Sequence, residues 1–181
     1  MSSRRVAILG AALSALATAC ATTDSSGPSS RPAFGRAGTA QEIAAWDISI
    51  PPSGEGLPGG SGTPRQGEAV YVAKCLACHG EKGAGKPADP LVGGVGSLAS
   101  AKPVRTVGSY WPYATTLFDY TRRAMPATNP LSLGNDEVYA VTAYLLYLNG
   151  IIGEDAVMDA RTLPQVRMPN RDGFVDWSRK Q

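Results

Sequence analysis

The sequence predicts an all-α domain with extended arms at both ends, and three observations carry that prediction. Apolar residues recur at helical spacing in three segments between residues 67 and 149, and no sustained period follows them. Glycine (21) and proline (14) approach a fifth of the chain, well above ordinary usage, so long stretches are irregular. The 181 residues, 43% of them hydrophobic, leave room for one domain of ordinary size plus attachments.

The chain begins with an address. Arg4 and Arg5 precede an uncharged apolar run from Val6 to Ala19, with small residues at Ala17 and Ala19. That run is too short to cross a bilayer core, which needs about 20 residues, and it reads as an export signal over residues 1–19. It ends at Cys20, in a pattern similar to bacterial lipoprotein signals, which implies a lipid tether there rather than a membrane span. Ordinary cleavage before Cys20 is the rival reading. Signal removal leaves 15 basic against 15 acidic residues.

Residues 20–64 form a tether and an arm. Up to residue 40 the chain is Ser, Thr, Gly, Pro and Ala with little apolar bulk. An isolated apolar set follows (Ile43, Trp46, Ile48, Ile50), then Pro51-Pro52 and a Gly/Pro/Ser stretch, as in an extended arm lying on a domain. The domain itself is expected over 65–150. Its first helix covers Gly67 to Ala77, a Gly-rich loop runs from Gly80 to Gly108, and a second helix covers Pro112 to Arg123 with proline in its first turn. The clearest helix runs from about Asp136 to Asn149, with Val138, Val141, Leu145 and Leu148 on one face. Gly134 or Asn135 caps it, Glu137 sits in its first turn and Gly150 ends it. Residues 151–181 read as an ordered or semi-ordered tail, either docking on a partner or covering the domain.

Several function classes are excluded at once. The chain has one histidine, so no site needing two imidazoles fits. Three cysteines make no disulfide framework. A net charge of +2, with no basic stripe interleaved with aromatics, excludes a nucleic-acid binder that depends on phosphate contacts.

The chemistry sits in Cys75-Leu76-Ala77-Cys78-His79. Two thiols three residues apart on one helical turn can add across the two vinyl groups of a haem, and the following imidazole then lies beneath the iron as proximal ligand. The cofactor expected is one covalent haem c. Rival readings exist for any C-x-x-C. A dithiol redox pair ordinarily opens a helix after a strand, and no strand precedes this one. Zinc needs further ligands, and the mature chain offers only Cys20, far off on the tether. A purely packing pair beside a capping histidine leaves unexplained why the only histidine stands here. Export agrees with haem attachment, which in bacteria occurs outside the cytoplasm, so the expected location is the periplasm.

Without a second histidine, the sixth ligand must be methionine, an amine or water. Met125 lies in Arg122-Arg123-Ala124-Met125-Pro126, between the second and third helices, where a proline-closed loop can bring the thioether over the open haem face. Met158 and Met168 follow the last helix and read as packing residues. Tyr110, Trp111, Tyr113, Phe118 and Tyr120 are candidates for pocket walls or plain core, and Arg105 and Trp111 for contact with a haem propionate.

From Gly67 to Asn149 the chain resembles the class I cytochromes c: Gly67 and Tyr71 before the haem motif, Pro90-Leu91 after it, the methionine loop, and the Ala143-Tyr144-Leu145 helix. The resemblance implies that fold, with extended arms. It also implies that the Pro90 carbonyl accepts a hydrogen bond from the His79 imidazole, and that Gly67 and Tyr144 mark a close crossing of the first and last helices. A narrower likeness spans roughly 44–175. Val107 to Thr116, Asp119-Tyr120, Arg123 to Pro126, Asp136 to Tyr144 and Met168 to Phe174 are similar to the haem subunits that accompany sulfite-oxidase-type molybdenum dehydrogenases, the sulfane and sulfite dehydrogenases. Some sulfane dehydrogenase cytochromes carry two haem domains, whereas this chain has one haem motif.

This likeness implies an electron-transfer subunit, not an enzyme by itself, that takes electrons from a molybdenum dehydrogenase subunit and passes them to a further cytochrome or an oxidase. The alternative is a free periplasmic shuttle with no dedicated catalytic partner. A third reading, an enzyme such as a haem peroxidase or a thiosulfate-processing cytochrome, needs an open coordination position or a reactive cysteine ligand. Met125 and the absence of cysteines beyond Cys20 argue against it. Composition and spacing alone reach an exported monohaem cytochrome and say nothing of sulfur.

Overall fold

The computed structural model describes residues 35–180; the expected export signal, Cys20 and most of the expected tether lie outside the described residues. The fold is mostly helical. In chain order it comprises α1 (Ala40–Trp46), β1 (Ser61–Gly62), α2 (Pro64–Lys74), α3 (Leu76–His79), α4 (Ala114–Ala124), α5 (Asn135–Leu148) and β2 (Met158–Asp159), with short 3-10 turns between.

Each main helix starts where its sequence supplies a cap. Thr63 accepts from the Gln66 N–H at 3.3 Å while the Gln66 side chain accepts from the Thr63 N–H at 2.9 Å, and Pro64 opens the first turn of α2. Glu137 reaches back to the Gly134 N–H at 2.8 Å at the start of α5, and Gly150, at φ 69°, follows its end. The second helix begins two residues later than its spacing predicts. Tyr113 is its extended N-cap, so Pro112 stands outside it.

The core is built on α5, whose residues 138–146 are all buried, and α2 crosses it at Gly67. A methyl group at Gly67 would overlap the Ala140 carbonyl and stand 2.7 Å from the Tyr144 Cβ, so only glycine permits this approach. The expected crossing of Gly67 and Tyr144 is therefore present. Tyr71, one turn on, packs its ring 5.5 Å from that of Tyr144. From α4, Phe118 is fully buried against Tyr139, with ring centroids 4.5 Å apart.

The two arms are part of this body. The N-terminal arm starts with a short helix, α1, that its sequence pattern does not announce, and then runs extended along α4. The tail pairs with the arm: β1 and β2 are antiparallel, Ser61 opposite Asp159 and Gly62 opposite Met158. Met158, Leu163 and Met168 are buried in the common core. Further on, Asn170 donates to the Tyr110 carbonyl at 2.7 Å, the Arg171 guanidinium lies 4.2 Å over the Tyr113 ring, and Phe174 meets Tyr110 edge-on. Residues 151–174 thus lie on the domain and bury Met158, Leu163 and Met168 in its core, while Val157 and Phe174 stay exposed.

Burying Met158, Leu163 and Met168 contributes about 1.5–3 kcal/mol each. Truncation after Gly150 should therefore cost on the order of 5 kcal/mol and lower the melting temperature by on the order of 10 °C or more. Calorimetry of the haem-loaded protein checks this, and an unchanged melting temperature would contradict the covering role.

Candidate functional site

The Cys-x-x-Cys-His segment lies at a break between two helices. Cys75 ends α2, its N–H donating to the Tyr71 carbonyl at 2.8 Å, and with φ −123° and ψ −31° it turns the chain into the single turn α3. Both cysteines are free thiols, Cys75 half-buried and Cys78 exposed. Burial, with the neighbouring Cys78, pushes the Cys75 thiol up to about 11, so it is held as a thiol rather than a thiolate.

The loop after the motif folds back beneath it. Gly85 N–H donates to the His79 carbonyl at 2.7 Å, Ala88 N–H to the Cys78 carbonyl at 2.8 Å, and Leu91 N–H to the Gly83 carbonyl at 2.8 Å. Gly80 makes the reversal at φ 70°, and its carbonyl accepts from the Tyr71 hydroxyl at 2.7 Å. These bonds bring the Asp89 carbonyl to 3.1 Å from His79 Nδ1. The resemblance implied Pro90 as the acceptor. Here the carbonyl within reach of the ring is that of the preceding residue, Asp89. With Nδ1–H donating, Nε2 keeps its lone pair, as an imidazole ligand requires.

The next loop is stitched to the end of α5. Asn149 Nδ2 donates to the Leu91 carbonyl at 3.1 Å, and Asn149 Oδ1 accepts from Gly93 N–H at 3.1 Å. Gly108 lies against the Asn149 side chain, where a Cβ would overlap the amide. Thr106 and Ser109 complete a buried hydroxyl cluster, Ser109 donating to the Val104 carbonyl at 2.6 Å and Thr106 to the Gly93 carbonyl at 2.6 Å. Sequence reasoning missed Thr106 and Ser109, and it missed Asn149, whose bond to Gly93 spans 56 residues that no local pattern marks.

Met125 is the C-cap of α4, half-buried, in extended conformation (φ −119°, ψ 145°) and followed by Pro126. Met158 and Met168 are 5% and 1% exposed in the core, as expected of packing residues. Of the candidate pocket aromatics, Phe118 is core, Tyr110 and Tyr113 are engaged by the tail, and Trp111 and Tyr120 meet edge-on at 5.6 Å. Arg105 is exposed.

Two cysteines on one turn, followed by an imidazole with its outer nitrogen already paired, suit a covalently held haem. Leu76, Leu91 and Trp111 pack against the core with part of their apolar surface uncovered, as suits a large flat apolar group. Among the described residues no group of three or more His, Cys, Asp or Glu is gathered as a metal site, and no helix is long and apolar enough to cross a membrane.

Comparison with known proteins agrees with this chemistry. The family described as cytochrome C oxidase, cbb3-type, subunit III matches residues 62–145. A chain in the crystal structure of the sulfane dehydrogenase SoxCD from Paracoccus pantotrophus is 41% identical, over 83% of this chain and 75% of that one, with a TM-score of 0.77. The chain belongs to the cytochrome c family. Among curated proteins nothing matches. The family match ends inside α5, whereas the likeness to the SoxCD chain extends over most of this cytochrome, arms included. As a cytochrome c domain it is an electron carrier, and the domain implies haem c.

Beneath the site, burial pushes the Tyr71 and Tyr139 phenols up to about 12 from the ordinary 10.0. A raised folded value contributes stability that is complete below the unfolded pKa and is lost as pH rises toward the folded one. Denaturation midpoints of this cytochrome should therefore fall between pH 10 and pH 12, and Tyr71→Phe should shallow that fall while costing about 1 kcal/mol at neutral pH through the lost bond to Gly80. A midpoint that does not change over this alkaline range would contradict the assignment.

Proposed function

We propose that this cytochrome carries one haem c, covalently attached through Cys75 and Cys78 and ligated by His79 and Met125. In this reading it takes electrons one at a time from a molybdenum sulfite- or sulfane-dehydrogenase subunit and passes them to a further cytochrome or an oxidase. The observation that carries the partner assignment is the 41% identity to a chain of a sulfane dehydrogenase over 83% of this sequence. The export signal over 1–19 supports a periplasmic location, and Cys20 supports a lipid tether there.

When bound, haem c supplies a one-electron ferric/ferrous couple, whose potential is raised by histidine–methionine ligation and by burial. The chain's own residues do the rest. Cys75 and Cys78 would hold the haem covalently through thioether bonds. The Asp89 carbonyl holds the His79 tautomer and increases its basicity as a ligand. With His79 and Met125 both available to hold the iron, the chain would offer it no place for substrate, which suits electron transfer rather than catalysis.

The free-shuttle alternative gains from one observation. The sequence argued against it because a minimal shuttle needs neither arm, yet both arms pack on their own domain and serve it structurally. Co-purification separates the two readings. The tagged cytochrome, isolated from periplasm, should bring down a molybdenum-containing subunit in equal amount, while isolation alone would favour the shuttle. Its intact mass should exceed the mature polypeptide by one haem, and the Cys75→Ala/Cys78→Ala double variant should lose that increment. Haem that leaves the native protein in acidified organic solvent would contradict covalent attachment.

A further inference from the structure

The N-terminal arm is clamped to the helix that delivers Met125, and the clamp is built from that helix's own side chains. Three successive turns of α4 reach it. Thr115 Oγ1 donates to the Pro52 carbonyl at 3.2 Å, Asp119 Oδ1 accepts from the Ile50 N–H at 2.9 Å, and Arg122 donates to the Ile48 carbonyl at 3.5 Å. As α4 advances from 115 to 122, the arm recedes from 52 to 48. The two therefore run antiparallel, with the arm's earlier residues at the Met125 end.

Asp119 is the centre of this ladder. It is 7% exposed, and Ile50, whose N–H it receives, is 5% exposed. The same carboxylate takes both forks of Arg123, Nε to Oδ1 at 3.0 Å and a terminal nitrogen to Oδ2. Arg123 sits in the last turn of α4, two residues before Met125, where a cation also favours the helix C-terminus. One buried carboxylate thus joins three elements: the arm, the body of α4, and the turn from which Met125 leaves the helix. The Met125 N–H closes that turn on the Thr121 carbonyl at 3.1 Å, and Pro126 stops the helix there.

We propose that Asp119 is a positioning residue for the distal ligand, and that the arm acts through it as a splint on α4. The carboxylate fixes Arg123 and the arm together, and so fixes where Met125 exits the helix and how firmly its thioether is held at the iron. This rests on Met125 being the ligand. Removing the carboxylate orphans a buried N–H and a guanidinium, which frees the last turn of α4 and lets an outside ligand compete for the iron.

The test is displacement of methionine by imidazole in the oxidised holoprotein, followed through loss of the weak sulfur-to-iron absorption band at the red end of the spectrum. Asp119→Asn, Asp119→Leu and Arg123→Gln should each bind imidazole more tightly than the parent, by about tenfold or more for Asp119→Leu, the range typical of lost partners around a ligand. Met158→Ala, a buried change in β2, which pairs with β1 and packs on α5, destabilises the fold away from the clamp, and it should leave imidazole affinity unchanged. If the Asp119 and Arg123 variants shift affinity no more than Met158→Ala does, the positioning role is overturned and Asp119 only stabilises. Asp119→Asn and Arg123→Gln keep the test decisive if Asp119→Leu does not fold. Met125→Ala separates the two layers: loss of the band confirms the ligand and leaves the comparison to judge Asp119, whereas a persisting band overturns both.

Discussion

At Gly67 the backbones of α2 and α5 meet with no side chain between them, because a methyl group there would overlap the Ala140 carbonyl. The same strip of α5 receives Gly62 of the arm, where a Cβ would again overlap Ala140. Two glycines five residues apart let α2 and β1 lie against one helix, and everything else is placed from that contact. It sets where α2 ends, hence where Cys75 turns the chain into the haem-motif turn. It also brings Tyr71 against Tyr144, with its hydroxyl under the loop that carries the Asp89 carbonyl to His79. Gly62, in turn, is the residue opposite Met158, so the tail's first buried side chain is registered on the same contact.

The loop behind the Cys-x-x-Cys-His turn is thus organised by backbone and small polar groups more than by apolar packing. Loop 80–109 contains little regular structure, yet its carbonyls and N–H groups are paired across it and to Asn149 at the end of α5. A rigid frame of this kind suits a carrier, since a site that changes charge without moving has little to reorganise. The arms extend the frame rather than hang from it, one along α4 and the other across the 110–113 loop.

Much of this was legible in the sequence. The three helices of the domain fall within a few residues of their predicted spans, because each has a strong apolar face or a clear cap and stop. The Cys-x-x-Cys-His segment was readable from five residues, and the structure sets it on a single turn with its histidine paired to the loop behind it. The Gly67–Tyr144 crossing came through family likeness and holds in the structure. What stayed hidden depends on distant partners. Which carbonyl reaches His79, here that of Asp89, depends on how the loop after the motif folds back, which no local pattern gives. Helix α1 has no strong period, and the covering role of the tail depends on single apolar residues (Met158, Leu163, Met168) whose partners lie on other elements. Asp119 reads as an ordinary helix-surface acid until the arm is seen to lie on it.

The central claim is that Cys75, Cys78 and His79 serve a one-electron haem rather than a dithiol couple or a zinc site. Potentiometric titration of the purified mature protein, with iron counted against polypeptide, tests it most directly. One iron per chain and a single one-electron wave, lost in His79→Ala, is the predicted result. A two-electron wave in iron-free protein, or stoichiometric zinc, would contradict the account.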